Sequence, residues 1–217
     1  MDARHHFSLL LPVLLFTGCG SLGEVDYSDL LTGGRDGWQR PAQVIEALAL
    51  APGDRVAEIG AGDGYWLARL SAAVGPTGVV YAVEVEDELV RELEEKVAEE
   101  ALANVVVVRG EYGDPKLPDG EIDLALTCLT YHHIDDREPY FARLRSDLAP
   151  GGRVVHLDDH DDVPAPIRWK QGEHVSDPDT IVAEMATAGY ERTGAWDFLP
   201  FMSFQQFEPV SGEVSAR

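Results

Sequence analysis

A glycine-rich loop between a short apolar run and a helical pattern restricts the fold more than any other feature of the sequence. The stretch over residues 56–66 is VAEIGAGDGYW. Gly60, Gly62 and Gly64 allow positive φ angles and leave the backbone open to close approach by a ligand. A strand that ends in such a loop and continues into a helix is typical of the ligand-binding unit of parallel α/β sheets.

Short β-branched runs alternate with helical patterns on both sides of this loop. The pattern predicts strands at 55–59, 79–83, 105–108, 123–129 and 153–157, and helices at 65–73, 87–102 and 136–148. One further helix is predicted to begin at Pro41 and another to run from Pro178 to Gly189, with a closing hairpin over 190–207. The sequence therefore predicts an α/β fold: a Rossmann-like, doubly wound, mostly parallel sheet with helices on both faces.

The N-terminal residues have the composition of an export signal. Arg4 is basic, and residues 7–16 are apolar but too few to span a bilayer as a helix. The sequence LFTGC at 15–19 resembles the lipobox of bacterial lipoproteins, in which the signal is removed before an acylated cysteine. We expect residues 1–18 to be a signal peptide, 19–40 to be a tether and lead-in, and Cys19 to anchor an exported protein on the periplasmic side. The alternatives are an ordinary secretory signal, and a cytoplasmic protein with a misassigned start.

The charge of the chain limits the partners it can bind. Its 39 acidic and 17 basic residues give a formal net charge of −22. Such a surface repels phosphate backbones, so we expect no nucleic acid partner. The other cysteine, Cys128, lies in an apolar run and is interpreted as a buried small hydrophobic residue.

Two classes of ligand fit a glycine loop of this kind, and the neighbouring residues distinguish them. Glu84 follows the next predicted strand, about twenty residues on, where an acid can hold ribose hydroxyls. The dinucleotide pattern requires a third small residue for helix packing, and this sequence has Tyr65 there. An NAD-dependent oxidoreductase is therefore the less favoured alternative.

The pattern E-x-G-x-G-x-G from Glu58 resembles motif I of class I S-adenosylmethionine-dependent methyltransferases. The resemblance extends over about residues 36–207, through DGWQRP at 36–41, VYAVE at 80–84, YHH at 131–133 and LAPGGR at 148–153. It is strongest to the small bacterial "type 11/25" group. It implies a methyltransferase domain at 41–208, a tail at 209–217, S-adenosyl-L-methionine as cofactor and a small-molecule or side-chain acceptor.

The resemblance also implies a set of cofactor-binding residues. Glu58, Gly60 and Gly62 would line the methionine end, with Gly64 in the same loop. Glu84 would accept hydrogen bonds from the ribose, while Glu111 and Tyr112 would contact the adenine. No catalytic residue is obligatory in this fold, so a non-catalytic module that binds the cofactor is a further alternative.

The predicted strand at 123–129 delivers Tyr131, His132 and His133 to the same edge of the sheet. Methyl transfer depends largely on positioning, but an oxygen or nitrogen acceptor also has to lose a proton, for which histidine is suited. His132 is favoured slightly as base or orienting group, with Tyr131 as an aromatic wall or hydroxyl. The histidines can equally well cap and pack the following helix. The acidic run at 158–162 follows the next strand, and together with His132 or His133 it could hold a divalent metal. Charge runs are more often solvated loops, so no metal is predicted.

Overall fold

The computed structural model describes residues 34–159 and 176–210, which form one sheet covered by helices on both faces. The signal peptide, Cys19 and residues 160–162 of the acidic run lie outside the described residues. The strands are β1 Arg55–Ile59, β2 Val79–Glu84, β3 Val105–Arg109, β4 Ile122–Cys128, β5 Leu148–Asp159, β6 Tyr190–Trp196 and β7 Met202–Pro209. The helices are α1 Gly34–Gln39, α2 Pro41–Leu48, α3 Leu67–Val74, α4 Asp87–Glu99, α5 Arg137–Leu144 and α6 Pro178–Thr187, and a 3-10 turn covers Tyr131–His133.

The sheet confirms the predicted fold class. Its strand order is β3-β2-β1-β4-β5-β7-β6, and the first five strands are parallel. β7 pairs antiparallel with both β5 and β6, as the predicted closing hairpin requires. The chain order reverses between β1 and β4, and ligands bind at this switch point in open parallel sheets.

Each face of the sheet has its own hydrophobic core, because β1 and β4 are apolar on both sides. One core joins the sheet to α2, α3 and α4 through residues such as Val44, Leu70 and Leu93. The other joins it to α5 and α6 through Phe141 and Ile181. These cores hold the central strands rigidly, so the loops at their carboxyl ends have a fixed base.

The strand predicted at 153–157 begins earlier, so that residues 150–152, whose Pro-Gly-Gly sequence is typical of a turn, lie inside it. β5 begins at Leu148, and its register against β4 shifts between Ile122 and Leu124. A Cβ atom on Gly152 would lie 2.5 Å from the carbonyl oxygen of Ile122. The glycine therefore permits close backbone approach at an irregularity in the strand, which the sequence pattern alone does not distinguish from a turn.

A buried histidine on β5 gives the fold an expected pH dependence. His156 is fully buried, its Nδ1 lies 2.7 Å from Oγ1 of Thr127, and burial lowers its pKa to about 3. In the unfolded chain the pKa of a histidine is about 6.5. Below about pH 6.5 the unfolded state therefore binds a proton that the folded state does not, and the free energy of unfolding decreases as the pH falls toward 3. Between pH 7 and pH 5 we expect the free energy of unfolding to fall by about 2 kcal/mol from this group.

Urea unfolding at several pH values tests this expectation against the His156→Gln variant, which carries no titrating imidazole there. The variant should have the shallower pH dependence between pH 7 and pH 5, whatever its stability at neutral pH. Equal slopes for the two proteins would show that His156 does not produce the effect.

Candidate active site

A cavity of about 660 Å³ opens at the carboxyl ends of β1, β2, β3 and β4. Its wall combines the glycine loop after β1 with the residues that follow the other three strands. Seven carboxylate side chains and one guanidinium lie among the described residues that line it: Glu58, Asp63, Glu84, Glu86, Glu111, Asp135, Asp136 and Arg35. Such a cavity favours a cationic ligand over an anionic one.

Two of the loop glycines face the cavity, and each is required for a different reason. Gly60 has a φ of 71°, and a Cβ atom there would lie 2.4 Å from the Thr130 side chain. Gly62 has a φ of 52°, and its Cβ would meet no atom closer than 4.0 Å. Gly60 therefore permits contact between two loops, whereas Gly62 keeps space open beside the cavity.

Gly64 has a different position from the other two glycines. It is absent from the cavity wall, and a Cβ atom on it would lie 2.9–3.0 Å from the side chains of Lys96, Leu67 and Leu93. The structure therefore places Gly64 at the contact between α3 and α4, where it allows close packing.

Glu84 holds the glycine loop in place from the end of β2. Its Oε2 accepts a hydrogen bond from the Gly62 amide at 3.0 Å, and its Oε1 accepts from the amides of Val85 and Glu86 at 2.6 and 3.2 Å. The side chain is buried but lines the cavity. A carboxylate has about four acceptor positions, so it can still accept from ribose hydroxyls.

Replacing Glu84 should weaken cofactor binding both directly and through the loop. We expect Glu84→Ala to reduce affinity for S-adenosylhomocysteine by roughly 1–3 kcal/mol, the range for hydrogen bonds to charged groups. Glu84→Gln retains one acceptor oxygen and should lose less. Calorimetric titration measures both affinities, and an unchanged value for the alanine variant would contradict the assignment.

Glu58 is a buried acid with unused hydrogen-bonding capacity. It is 2% exposed at the end of β1, and its Oε2 has no hydrogen-bond partner among the described residues. Burial raises the pKa of Glu58 well above its usual value, while the nearby Arg35 acts to lower it. A cationic ligand group beside this oxygen would satisfy it, so the site fits an ammonium or sulfonium group.

Glu111 and Tyr112 form the opposite end of the wall. Glu111 forms an ion pair with Lys116 at 3.2 Å, and Tyr112 is 73% exposed. The Tyr112 hydroxyl donates to Glu86 at 2.6 Å. Both predicted adenine contacts therefore line the cavity, on the loop after β3.

Tyr131 lies in the hydrophobic core and not on the cavity wall. It is 1% exposed, stacks on Phe141 with a centroid distance of 5.5 Å, and donates its hydroxyl to Glu184 at 2.6 Å. Burial, followed by the hydrogen bond to Glu184, raises the pKa of Tyr131 far above the ordinary tyrosine value. These contacts give Tyr131 a structural role under the 3-10 turn.

The two histidines point to different surroundings, as expected for successive residues. His132 is almost buried, and its Nδ1 lies 2.7 Å from Oδ1 of the fully buried Asp158. Its amide also donates to Asp158 at 3.2 Å. His133 is exposed and lines the cavity. The geometry thus favours His133 over His132 as the group that meets an acceptor, the reverse of the slight preference from sequence.

Arg35 lines the cavity but was not among the residues predicted from sequence. Arg35 belongs to helix α1, which begins two residues before the DGWQRP motif and ends inside it. This helix falls in the segment 19–40 that was expected to be a tether and lead-in. The resemblance already covered this motif without assigning it a role. The only signal available was a basic residue close to a motif shared with methyltransferases.

No group of three or more histidine, cysteine or acidic side chains able to hold a metal ion occurs within residues 34–159 and 176–210. Asp158 accepts hydrogen bonds from His132, the Asp159 amide and Ser176. It therefore braces the end of β5 against the 3-10 turn.

Comparison with solved structures supports the assignment of the fold. The chain is similar to a SAM-dependent methyltransferase from Aquifex aeolicus, with 26% identity and a TM-score of 0.69. The match covers 77% of this chain and 88% of that one.

Two sequence relatives extend the comparison. The chain is 27% identical over 133 residues to the ubiquinone/menaquinone biosynthesis C-methyltransferase UbiE of Ectopseudomonas mendocina, covering 60% of this chain and 51% of UbiE. It is 33% identical over 132 residues to a 37.1 kDa protein of transposon TN4556 from Streptomyces fradiae, covering 61% and 38%. The chain thus spans about half or less of the length of these relatives.

The fold and the cavity resemble those of class I S-adenosylmethionine-dependent methyltransferases. Residues 56–152 match the sequence profile of the family Methyltransf_25, described as "Methyltransferase domain". The cofactor of this class of methyltransferase is S-adenosylmethionine. The Glu58 oxygen without a partner among the described residues and the open space at Gly62 fit this cofactor.

Proposed function

We propose that this chain transfers a methyl group from S-adenosylmethionine to a small-molecule acceptor bound near His133. The observation that carries the proposal is the joint position of Glu58, Gly62 and Glu84 on one cavity wall, with His133 on the same cavity. The UbiE relative, a methyltransferase of ubiquinone/menaquinone biosynthesis, supports a small-molecule acceptor.

The residues of the site have separable tasks in this reaction. When bound, S-adenosylmethionine supplies a methyl carbon that its sulfonium activates toward nucleophiles. Glu58 holds the methionine end of the cofactor, and Glu84 holds its ribose. The acidic wall of the cavity stabilises the positive charge of the cofactor. His133 accepts a proton from an oxygen or nitrogen acceptor, and the acidic wall of the cavity favours the resulting imidazolium.

Calorimetric titration of the purified protein with S-adenosylhomocysteine and, separately, NAD tests the cofactor assignment. Binding of the first without the second supports the proposal, while the opposite result would favour the oxidoreductase alternative. A panel of oxygen, nitrogen and thiol acceptors then tests transfer with a radiolabelled methyl group. Cofactor binding without transfer to any acceptor would favour the non-catalytic alternative.

The location of the protein is a separate proposal that rests on the sequence before the described residues. We propose that Cys19 is acylated and anchors the mature chain to a membrane on the periplasmic side. In the part of the chain that the structure covers, no helix is long and apolar enough to cross a bilayer.

Cys19→Ser should release the protein from the membrane fraction of the native cell and abolish incorporation of labelled palmitate. Cys128→Ser, which alters only the buried thiol, is the matched control and should leave fractionation unchanged. A wild-type protein with an uncut N-terminus in the soluble fraction would contradict the proposal and support the cytoplasmic alternative.

A further inference from the structure

Helix α1 lies against the glycine loop and contributes one cation to the cavity. Arg35 forms an ion pair with Asp63, its Nη1 donating to Oδ1 at 3.0 Å and to Oδ2 at 2.9 Å. Its Nε donates to Gln39 at 3.0 Å. The contacts fix the guanidinium at the cavity wall, with 32% of the side chain exposed.

Tyr65, which follows the loop, anchors α1 through two arginines. The guanidinium carbons of Arg35 and Arg69 lie 3.9 and 4.3 Å from the centre of its ring. The Tyr65 hydroxyl donates to Asp36 at 2.5 Å, and Arg69 donates to both oxygens of the same carboxylate at 3.1 Å. The helix is thus docked on the residue that replaces the small third position of a dinucleotide loop.

Arg35 has donors that form no hydrogen bond with the described residues. Two of its five N–H groups are on Nη2, which donates to no described residue. Among the described residues that line the cavity, Arg35 is the sole guanidinium or ammonium, and it lies close enough to Glu58 to lower the pKa of that acid. The cavity wall therefore carries a guanidinium and a buried carboxyl group that can pair with a cation.

A ligand group with the complementary pair of charges is an α-amino acid. The methionine moiety of S-adenosylmethionine carries an α-ammonium and an α-carboxylate on one carbon. The ammonium matches the unpartnered Oε2 of Glu58. Left alone in this acidic cavity, the carboxylate would meet unfavourable charge repulsion, whereas a planar guanidinium matches its geometry.

We infer that Arg35 binds the α-carboxylate of the cofactor, which makes α1 part of the cofactor site and Arg35 a determinant of cofactor specificity. The inference rests on the proposed function in that it requires S-adenosylmethionine to occupy this cavity. Residues 34–39 then belong to the functional unit, although the profile match begins at residue 56.

Calorimetry with two ligands that differ only in the carboxylate tests this inference. The ligands are S-adenosylhomocysteine and its decarboxylated analogue, which keeps the adenosine, thioether and amine. Arg35→Ala should reduce affinity for S-adenosylhomocysteine by about tenfold to a hundredfold, in keeping with charged hydrogen bonds, and change affinity for the analogue much less. Arg35→Lys keeps the charge without the fork and should give an intermediate loss.

Two further variants separate carboxylate binding from other effects. Arg69→Ala weakens the docking of α1 but removes no cavity group, so it should affect both ligands equally and slightly. Glu58→Gln should weaken both ligands strongly, because both retain the amine. Circular dichroism of each variant reports whether it is folded.

The outcomes distinguish failure of the inference from failure of the proposed function. Equal losses for both ligands in Arg35→Ala, or unchanged affinity for both, would overturn the inference while leaving the cofactor assignment intact. A raised KM for the acceptor with unchanged cofactor affinity would overturn it in favour of acceptor binding. A wild-type protein that binds neither ligand would overturn the proposed function and the inference together.

Discussion

Gly62→Val is expected to yield a folded protein that has lost affinity for S-adenosylmethionine by about a hundredfold or more. Among the described residues, a Cβ on Gly62 meets only the Gly60 carbonyl oxygen, at 4.0 Å, so the added side chain projects into the cavity. Inserting extra carbon atoms into a well-packed environment costs about 1–3 kcal/mol in steric strain. The valine side chain would also displace contacts between the loop and the ligand, which adds to the loss of affinity. Calorimetric titration with S-adenosylhomocysteine measures the loss.

The positive φ of 52° also strains a β-branched residue, and a matched control isolates that effect. Gly120 has a φ of 70° and lies away from the cavity, and a Cβ atom on it would meet no other atom within 4 Å. Gly120→Val should lose comparable stability and bind the cofactor normally. If Gly62→Val binds as tightly as Gly120→Val, the loop does not contact the cofactor.

His133→Ala is expected to slow methyl transfer by about a hundredfold to ten-thousandfold, the usual contribution of a general base. Its affinity for S-adenosylhomocysteine should stay within a few-fold of wild type, because the carboxylates and the loop hold the cofactor. The wild-type rate should increase with pH, because a general base acts in its deprotonated form, and this increase should disappear in the variant. Steady-state kinetics with an acceptor from the panel provides the measurement.

His132→Ala is the comparison variant, because His132 pairs with buried Asp158 and does not line the cavity. It should lower the free energy of unfolding, since Asp158 loses a buried partner. The wild-type pH profile should persist in it. A profile that disappears in His132→Ala and persists in His133→Ala would return the role of base to His132.

The central part of the fold was predictable because local signals coincide there with tertiary packing. β1 has the predicted bounds, since its apolar run is enclosed by the turn at Gly53 and the loop at Gly60. Helix α3 begins two residues later than predicted, because Tyr65 and Trp66 belong to the turn after the loop. Helix α5 ends at Leu144 instead of Leu148, since Leu148 already pairs with Ile122 as the start of β5.

Side-chain directions at the site depend on geometry that the sequence does not encode locally. The 3-10 turn directs Tyr131 to the core and His133 to the cavity, and adjacent aromatic and imidazole residues give no pattern that separates them. Helix α1 has only six residues, two of them glycine, and is held by contacts such as Arg35 with Asp63, 28 residues away. Long-range contacts of this kind cannot be derived from periodicity.

The hydrogen bond from the Gly62 amide to Glu84 has a consequence for the rate of cofactor binding. It ties the loop after β1 to the end of β2 through a contact within the protein itself. Association should then proceed as a nearly rigid encounter, with a single exponential phase whose rate constant increases linearly with ligand concentration. The cationic cofactor approaches an acidic opening, so added salt should slow association more than dissociation.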